Sequence, residues 1–390
     1  FINGLEWPPQ VIAVDCPSGV DCDSGEAAQE TIPADATVTM AAVKQGLLKL
    51  PAFDLAGEIR LAGIGPLDGL RSWQAVRNEV ADESLVRTLL PLRADDAHKG
   101  TFGTAVVAAG SLNYTGAALL AGKAAARVGA GLVTLAIPAP LHPALAGQFP
   151  EATWVLLPHE MGVIAAGAAE VLAKSLERAT ALLVGPGLGQ EDATKEFIVG
   201  LLRGAVANPS AGRMGFVKDA SARANSKPAS LPPLVIDADG LKLLAKLDDW
   251  AKQIPAPAVL TPHPGEMAVL SGLTIDAIQA DRLGTATRFA AEWGHIVVLK
   301  GAFTVVAAPD GRTTTIPVAT PALAHAGTGD VLAGLIVGLR AQGLEAYDAA
   351  VAGAWIHAQA GLSAADTLGS TASVLAGDLL DEVSDILGEL

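Results

Sequence analysis

Gly327-Thr328-Gly329-Asp330 stands immediately before an apolar segment of helical length, residues 331–339. Two glycines around a threonine permit a tight turn in which several N–H groups point together at a helix start. Placed at the positive end of the helix dipole, that arrangement suits an anion such as phosphate. An aspartate beside a bound phosphate is costly unless it handles a proton, and here it would take one from an attacking hydroxyl. The same residues also describe an ordinary capped helix with Asp330 as N-cap. By itself the window leaves both readings open.

Other segments place small or polar residues where an apolar run gives way to a turn. At Lys300-Gly301-Ala302-Phe303-Thr304 the backbone can touch a ribose and phosphates while Lys300 supplies charge; the plain alternative is a turn between strands. His263, in Thr261-Pro262-His263-Pro264-Gly265-Glu266, suits either contact with a ligand or the start of a helix with Glu266 in its first turn. One His near one Glu lacks the ligand count of a zinc site. Gly185-Pro186-Gly187-Leu188-Gly189 superficially resembles a dinucleotide loop, but its proline and spacing break that pattern, and no P-loop consensus occurs. Gly110-Ser111, leading to Tyr114-Thr115-Gly116-Ala117, is a strand-to-helix turn that lets a ligand approach closely. Asp237-Ala238-Asp239-Gly240 and Asp15-Cys16-Pro17-Ser18-Gly19 close two further strand-like runs. For His142, His159, His295, His325 and His357 a structural role is the default.

The elements that must carry these turns alternate in period. Apolar runs at 105–109, 132–136, 181–184, 234–236, 259–260 and 296–299 predict strands, and residues 116–128 predict an alanine-rich helix. Apolar strands separated by helices predict a mostly parallel sheet covered on both faces, with its turns converging on one edge. Residues 204–233 break the rhythm and read as an exposed insertion. Residues 11–14, 36–40 and 57–62 predict three strands with little helix between them, too little for a complete doubly wound domain. With 390 residues, 51% of them hydrophobic and only 4% aromatic, the chain can bury large cores of small side chains.

A net charge of −15 argues against nucleic acid and against anionic membrane. No apolar run approaches the roughly 20 residues a spanning helix needs, and no signal peptide precedes the first strand, so the cytoplasm is the expected compartment. Cys16 and Cys22, the only cysteines, read as free thiols rather than a disulfide framework.

Taken in order, His98-Lys99-Gly100, Gly110-Ser111 with Tyr114-Thr115-Gly116-Ala117, Gly185-Pro186-Gly187-Leu188-Gly189, Asp237-Ala238-Asp239-Gly240, Thr261-Pro262-His263-Pro264-Gly265-Glu266, Lys300-Gly301 and Gly327-Thr328-Gly329-Asp330 resemble one family. It is the ADP- or ATP-dependent NAD(P)H-hydrate dehydratases, and the resemblance spans residues 79–390. It implies a ribokinase-like three-layer αβα domain over residues 73–390. Residues 1–72, through Asp15-Cys16-Pro17-Ser18-Gly19-Val20-Asp21, resemble the C-terminal part of an NAD(P)H-hydrate epimerase domain. That part is Rossmann-like and incomplete, so epimerase activity is not expected from this chain alone.

The resemblance also implies roles. Asp330 would be the catalytic base, and the amides of Gly327, Thr328 and Gly329 would stabilise the transferred phosphoryl. Ala117, Gly187, His263 and Asp330 would contact the hydrate, NADHX or NADPHX. Lys300, Gly301, Ala302, Phe303 and Thr304, with Gly329, would contact ADP or ATP, accompanied by Mg2+. In the N-terminal part Asp15 would touch the hydrate and Ser18 a potassium ion. The assembly implied is a homo-oligomer, a tetramer. A small-molecule kinase of the same fold, of the hydroxymethylpyrimidine or hydroxyethylthiazole kinase type, is the alternative.

Overall fold

The computed structural model describes residues 9–67, 69–204 and 231–390, so nearly all of the expected insertion at 204–233 lies outside the described residues. The chain divides into two compact units, Phe1–Val80 and Ala81–Leu390. In the first, β1 (Ile12–Val14), β2 (Ala36–Met40) and β3 (Glu58–Ala62) form a parallel sheet in that order. Cys16 and Cys22 are free thiols, as expected.

The second unit is built on a sheet whose strands are β4 (Thr104–Ala108), β5 (Leu132–Pro138), β6 (Thr153–Leu157), β7 (Ala181–Val184), β8 (Leu234–Ile236), β9 (Val259–Leu260), β10 (Ile296–Leu299), β11 (Val305–Ala307) and β12 (Thr313–Thr315). Their spatial order is β12-β11-β10-β9-β8-β7-β4-β5-β6. Strands β10 through β6 pair in parallel, while β11 and β12 pair antiparallel. Every residue of β7, β8 and β10 is buried, the near-continuous apolar pattern that a parallel strand covered on both faces requires.

The helices that matter to the site are α1 (Thr115–Arg127), α2 (Ala168–Ser175), α3 (Asp192–Gly204), α4 (Asp239–Leu244), α5 (Pro264–Ser271), α6 (Arg282–Trp293), α7 (Thr328–Ala341), α8 (Ala346–Leu368) and α9 (Ala376–Glu389). Helices α1, α7, α8 and α9 supply one apolar layer, including Ala121, Leu335, Ala350 and Leu379. Helices α2, α3 and α4 supply the opposite one through Leu172, Phe197 and Leu241. The contact of α7 with α1 depends on missing side chains. A Cβ on Gly334 would fall 2.2 Å from the Ala121 carbonyl oxygen, and one on Gly338 2.5 Å from Val128 Cγ1. Close backbone approach therefore holds α7 tightly against α1.

The winding reverses between β4 and β7. From β4 the chain runs outward to β5 and β6, then returns to lay β7 on the other side of β4 and continues to β8, β9 and β10. In an open α/β sheet the carboxyl ends of two such strands leave a crevice between their diverging loops. Five of the turns singled out in the sequence leave the carboxyl ends of β4, β7, β8, β9 and β10, all on one edge.

Candidate active site

The crevice at the reversal is closed by two of those turns. Gly110 N–H donates to the Pro186 carbonyl at 2.8 Å, tying the turn after β4 to the turn after β7. Gly187 has φ +62, and a Cβ there would lie 2.8 Å from Tyr114 Cβ and 2.9 Å from Ala117 Cβ. The structure thus brings Ala117 and Gly187 together, with Tyr114 as a third neighbour. Gly187→Ala is expected to force these loops apart and, on the sequence expectation that Gly187 contacts the hydrate, to raise KM at least tenfold. An unchanged KM in a folded variant would remove Gly187 from the substrate pocket. Next along the edge, Gly189 N–H donates to Asp239 Oδ2 at 3.1 Å, and Lys242 Nζ to Asp239 Oδ1 at 3.2 Å.

A buried charged centre follows at the ends of β8, β9 and β10. Asp237, only 1% exposed, accepts at Oδ1 from Thr261 Oγ1 (2.7 Å) and from Lys300 Nζ (2.6 Å). Lys300 Nζ also lies 3.7 Å from Glu266 Oε2, itself 3% exposed. Burial pulls the Lys300 ammonium down, but the charges of Asp237 and Glu266 overcome it and hold its pKa above the ordinary lysine value. The Asp237 and Glu266 carboxylates are paired, as buried charges must be.

His263 caps α5. Its Nδ1 accepts from the N–H groups of Gly265 (3.0 Å) and Glu266 (3.3 Å), while Glu266 returns a bond to the His263 N–H at 3.0 Å. Burial holds the imidazole below its usual pKa. With Nδ1 occupied as acceptor, the neutral ring carries its proton on Nε2. His263 can therefore donate to a ligand but cannot act as a base at that nitrogen. The capping reading and the ligand reading are both compatible with this geometry.

Helix α7 starts at Gly327, whose φ of +91 makes it the N-cap. Asp330 is therefore not the N-cap that residue preference suggests: it lies in the first turn of α7. Left-handed Gly327 turns the chain into the helix three residues earlier, which frees the Asp330 carboxyl. Burial raises its pKa to about 7, reinforced by the charges of Asp237, Asp239 and Glu266 and opposed by Lys300. A carboxyl poised there can exchange a proton at neutral pH. A Cβ on Gly329 would lie 3.4 Å from Lys300 Nζ and 4.0 Å from Asp237 Oδ2, so the turn faces the charged centre directly.

A cavity of about 370 Å³ opens beside this turn, lined by Lys300, Gly301, Ala302, Thr304, Thr328 and Gly329 among others. Ile316, Val318, Leu323 and Leu332 give it an apolar side, and His325 and His357 reach it too. Phe303 does not line it: the residue is buried with φ +53, and its N–H donates to the Val318 carbonyl at 2.9 Å. Ala117, Gly187 and Asp330 do not line this cavity, although Asp330 adjoins Gly329. Arg282 braces the Lys300–Gly301 turn from behind, its Nη2 donating to the carbonyls of Leu299 (2.9 Å) and Lys300 (3.2 Å). Burial lowers its pKa to about 10.

From the sequence, Asp237, Thr261 and Arg282 carry no individual role and His357 only a default structural one. The signal for the first two was present, since both stand at the carboxyl ends of strands, where the glycine turns gather. In the first unit Asp15, at the end of β1 with φ +70, accepts from Met40 N–H at 3.0 Å and from the Lys44 ammonium. The Lys44 bond above all lowers its pKa. Ser18 is exposed in the same turn. Among the described residues no group of three or more His, Cys, Asp or Glu is placed to hold a metal by itself, and no helix is long and apolar enough to cross a membrane.

The mostly parallel sheet covered by helices on both faces is the fold of ribokinase-like proteins. A ribokinase-like superfamily protein of Enterococcus faecalis has the same fold, with a TM-score of 0.63 at 23% identity over 80% of this chain and 96% of that one. Residues 105–384 match the NAD(P)H-hydrate dehydratase family, and residues 2–46 match the YjeF-related protein N-terminus. The chain belongs to the NAD(P)H-hydrate dehydratase family.

The ADP/ATP-dependent NAD(P)H-hydrate dehydratase of Bacillus subtilis, co-crystallised with ATP and Mg2+, is 30% identical with a TM-score of 0.64, over 81% of this chain and 99% of that one. The bifunctional NAD(P)H-hydrate repair enzyme of Moorella thermoacetica is 38% identical over 98% of this chain, and that of Escherichia coli 34% identical over 97%. The chain spans 67% and 66% of those two relatives' lengths.

Proposed function

We propose that this chain dehydrates NAD(P)H hydrate, using ADP or ATP to convert a poor leaving group into a good one. The hydrate carries a hydroxyl on C6 of its nicotinamide ring. Asp330 takes the hydroxyl proton as the oxygen attacks the terminal phosphoryl, and the nucleotide leaves one phosphate shorter. The ring-nitrogen lone pair then expels phosphate from C6, and loss of a C5 proton restores the dihydronicotinamide. The elements of water thus leave separately, the oxygen on phosphate and the two protons on bases.

In this reading the amides of Gly327, Thr328 and Gly329 meet charge growing on the transferred phosphoryl. Lys300, Gly301, Ala302 and Thr304 hold the nucleotide in the cavity, with Phe303 shaping the turn. Ala117, Gly187 and His263 hold the hydrate, His263 as an Nε2–H donor. Mg2+ would be held by Asp237 and Glu266, buried carboxylates beside Lys300, since magnesium commonly uses one or two carboxylates plus substrate phosphates. When bound, the ion shields the nucleotide's negative charge. Asp15 and Ser18 belong to the incomplete epimerase part, where Ser18 would hold potassium, and assembly as a homo-oligomer is part of the same reading.

The observation that carries the proposal is Asp330, a carboxyl with its pKa near neutrality at the mouth of an anion-binding helix start. The test incubates the purified chain with enzymatically hydrated NADH or NADPH plus ADP or ATP and Mg2+. Recovery of the near-ultraviolet band of the reduced nicotinamide is expected with at least one nucleotide and not without nucleotide. Folded protein that restores no absorbance with either one would sink the dehydratase reading.

A further inference from the structure

We propose that His357 is a positioning residue for phosphoryl transfer, aiming the Gly329 amide by gripping the carbonyl on the other side of the same peptide bond. The inference rests on the function proposed above and extends it to a residue on a different helix. His357 lies on α8, is buried, and lines the cavity beside Thr328 and Gly329. Its Nε2 stands 2.8 Å from the Thr328 carbonyl oxygen. A carbonyl only accepts, so Nε2 carries the proton and Nδ1 is bare. Burial lowers its pKa to about 4, which keeps the ring neutral and fixes this tautomer at working pH.

The lever is the planar trans peptide. The Thr328 carbonyl and the Gly329 N–H share one rigid plane and point in opposite directions. Pinning the carbonyl toward α8 therefore directs the N–H out of the helix start, where the phosphoryl would lie. A donor on the carbonyl also polarises the amide and strengthens its N–H. The other end of Thr328 is tied down independently, with Oγ1 2.9 Å from both the Leu323 and the His325 carbonyl oxygens. Helix α8 is a firm anchor, because at Gly353 it lies so close to α7 that a Cβ would sit 2.7 Å from Ile336 Cγ1. The hydroxyl bonds set where the turn stands, and the imidazole sets which way its first free amide points.

His357→Leu fills the space without the donor, and His357→Gln restores an N–H that can reach the carbonyl. His357→Leu is expected to lower kcat roughly 10- to 100-fold, the scale of losing one aligned oxyanion donor. The KM for hydrate should stay within twofold and the Tm within a few degrees. His357→Gln should recover at least half of the lost kcat on a logarithmic scale. A folded His357→Leu with kcat within twofold of wild type overturns the proposal, as do two variants equally impaired. Should His357→Leu not fold, the Gln variant carries the comparison alone and must stay within fivefold of wild type. Wild-type turnover is measured in parallel, so its absence would strike the function and not the positioning. Amide exchange at residues 327–330 then decides: it should quicken at least tenfold in His357→Leu, and unchanged exchange overturns the proposal.

Discussion

Asp330→Asn is expected to remove turnover while leaving a folded protein that still binds nucleotide within a few-fold of wild type. The substitution keeps shape and polarity at the first turn of α7 and deletes only the ability to take a proton. General-base catalysis contributes about 10²- to 10⁴-fold, so kcat should fall by that much. The pH dependence follows from the same group. A base must be ionised, so kcat/KM of the wild type should rise through the Asp330 pKa of about 7 and level off above it. That limb should be missing from whatever activity Asp330→Asn retains.

Stability runs the opposite way. The folded pKa of about 7 lies above the ordinary aspartate value of 3.8, so the folded state holds the proton more tightly than the unfolded one. Its contribution is fully present below the unfolded value and is lost as pH rises through 7. Ionised Asp330 is therefore a cost at pH 8, of roughly 4 kcal/mol at most. Asn does not ionise. Thermal unfolding at pH 8 should place Asp330→Asn above wild type, with the gap closing toward pH 4. A kcat near normal, or a Tm gap that widens toward acid, would show that Asp330 is not the poised base.

What the sequence made legible was local. Strand ends and glycine turns each announce themselves within a few residues, and in a parallel sheet their order alone sends them to one edge. Asp237 and Lys300 are different: they meet at 2.6 Å across 63 positions of sequence, and only the neighbourhood of β8, β9 and β10 joins them. His357 was hidden for a related reason. Within α8 it is one polar side chain among Ala354, Ile356 and Ala358, and its partner is a backbone carbonyl that has no signature in sequence. The misplaced N-cap came from residue preference, which names aspartate before glycine. A left-handed Gly327 carries no side chain to announce itself, yet it set where the helix starts.

Lys300→Met is expected to damage stability and chemistry together, and the two can be separated. Lys300 Nζ is the cation facing Asp237 at 2.6 Å and Glu266 at 3.7 Å, carboxylates that are 1% and 3% exposed. Methionine keeps the length and apolar stem but leaves both carboxylates without that counter-charge. Breaking a buried pair in this way costs about 3–5 kcal/mol, because the stranded charge has neither water nor partner. Thr261 Oγ1 still donates to Asp237 at 2.7 Å, which places the expected loss at the lower end of that range. Asp237→Asn combined with Lys300→Met removes the stranded charge next to Thr261 and should recover part of the lost Tm, a coupling that a double-mutant cycle reads directly.

The chemical effect has a definite sign. Lys300 lowers the Asp330 pKa while Asp237, Asp239, Glu266 and burial raise it. Losing the lysine leaves only raising influences, so the rising limb of kcat/KM should move to higher pH in Lys300→Met. Asp237→Asn removes a raising influence and should move the limb to lower pH. A limb that stays fixed in both variants, or moves the other way, would mean that the Lys300–Asp237 pair supports the fold without tuning the base.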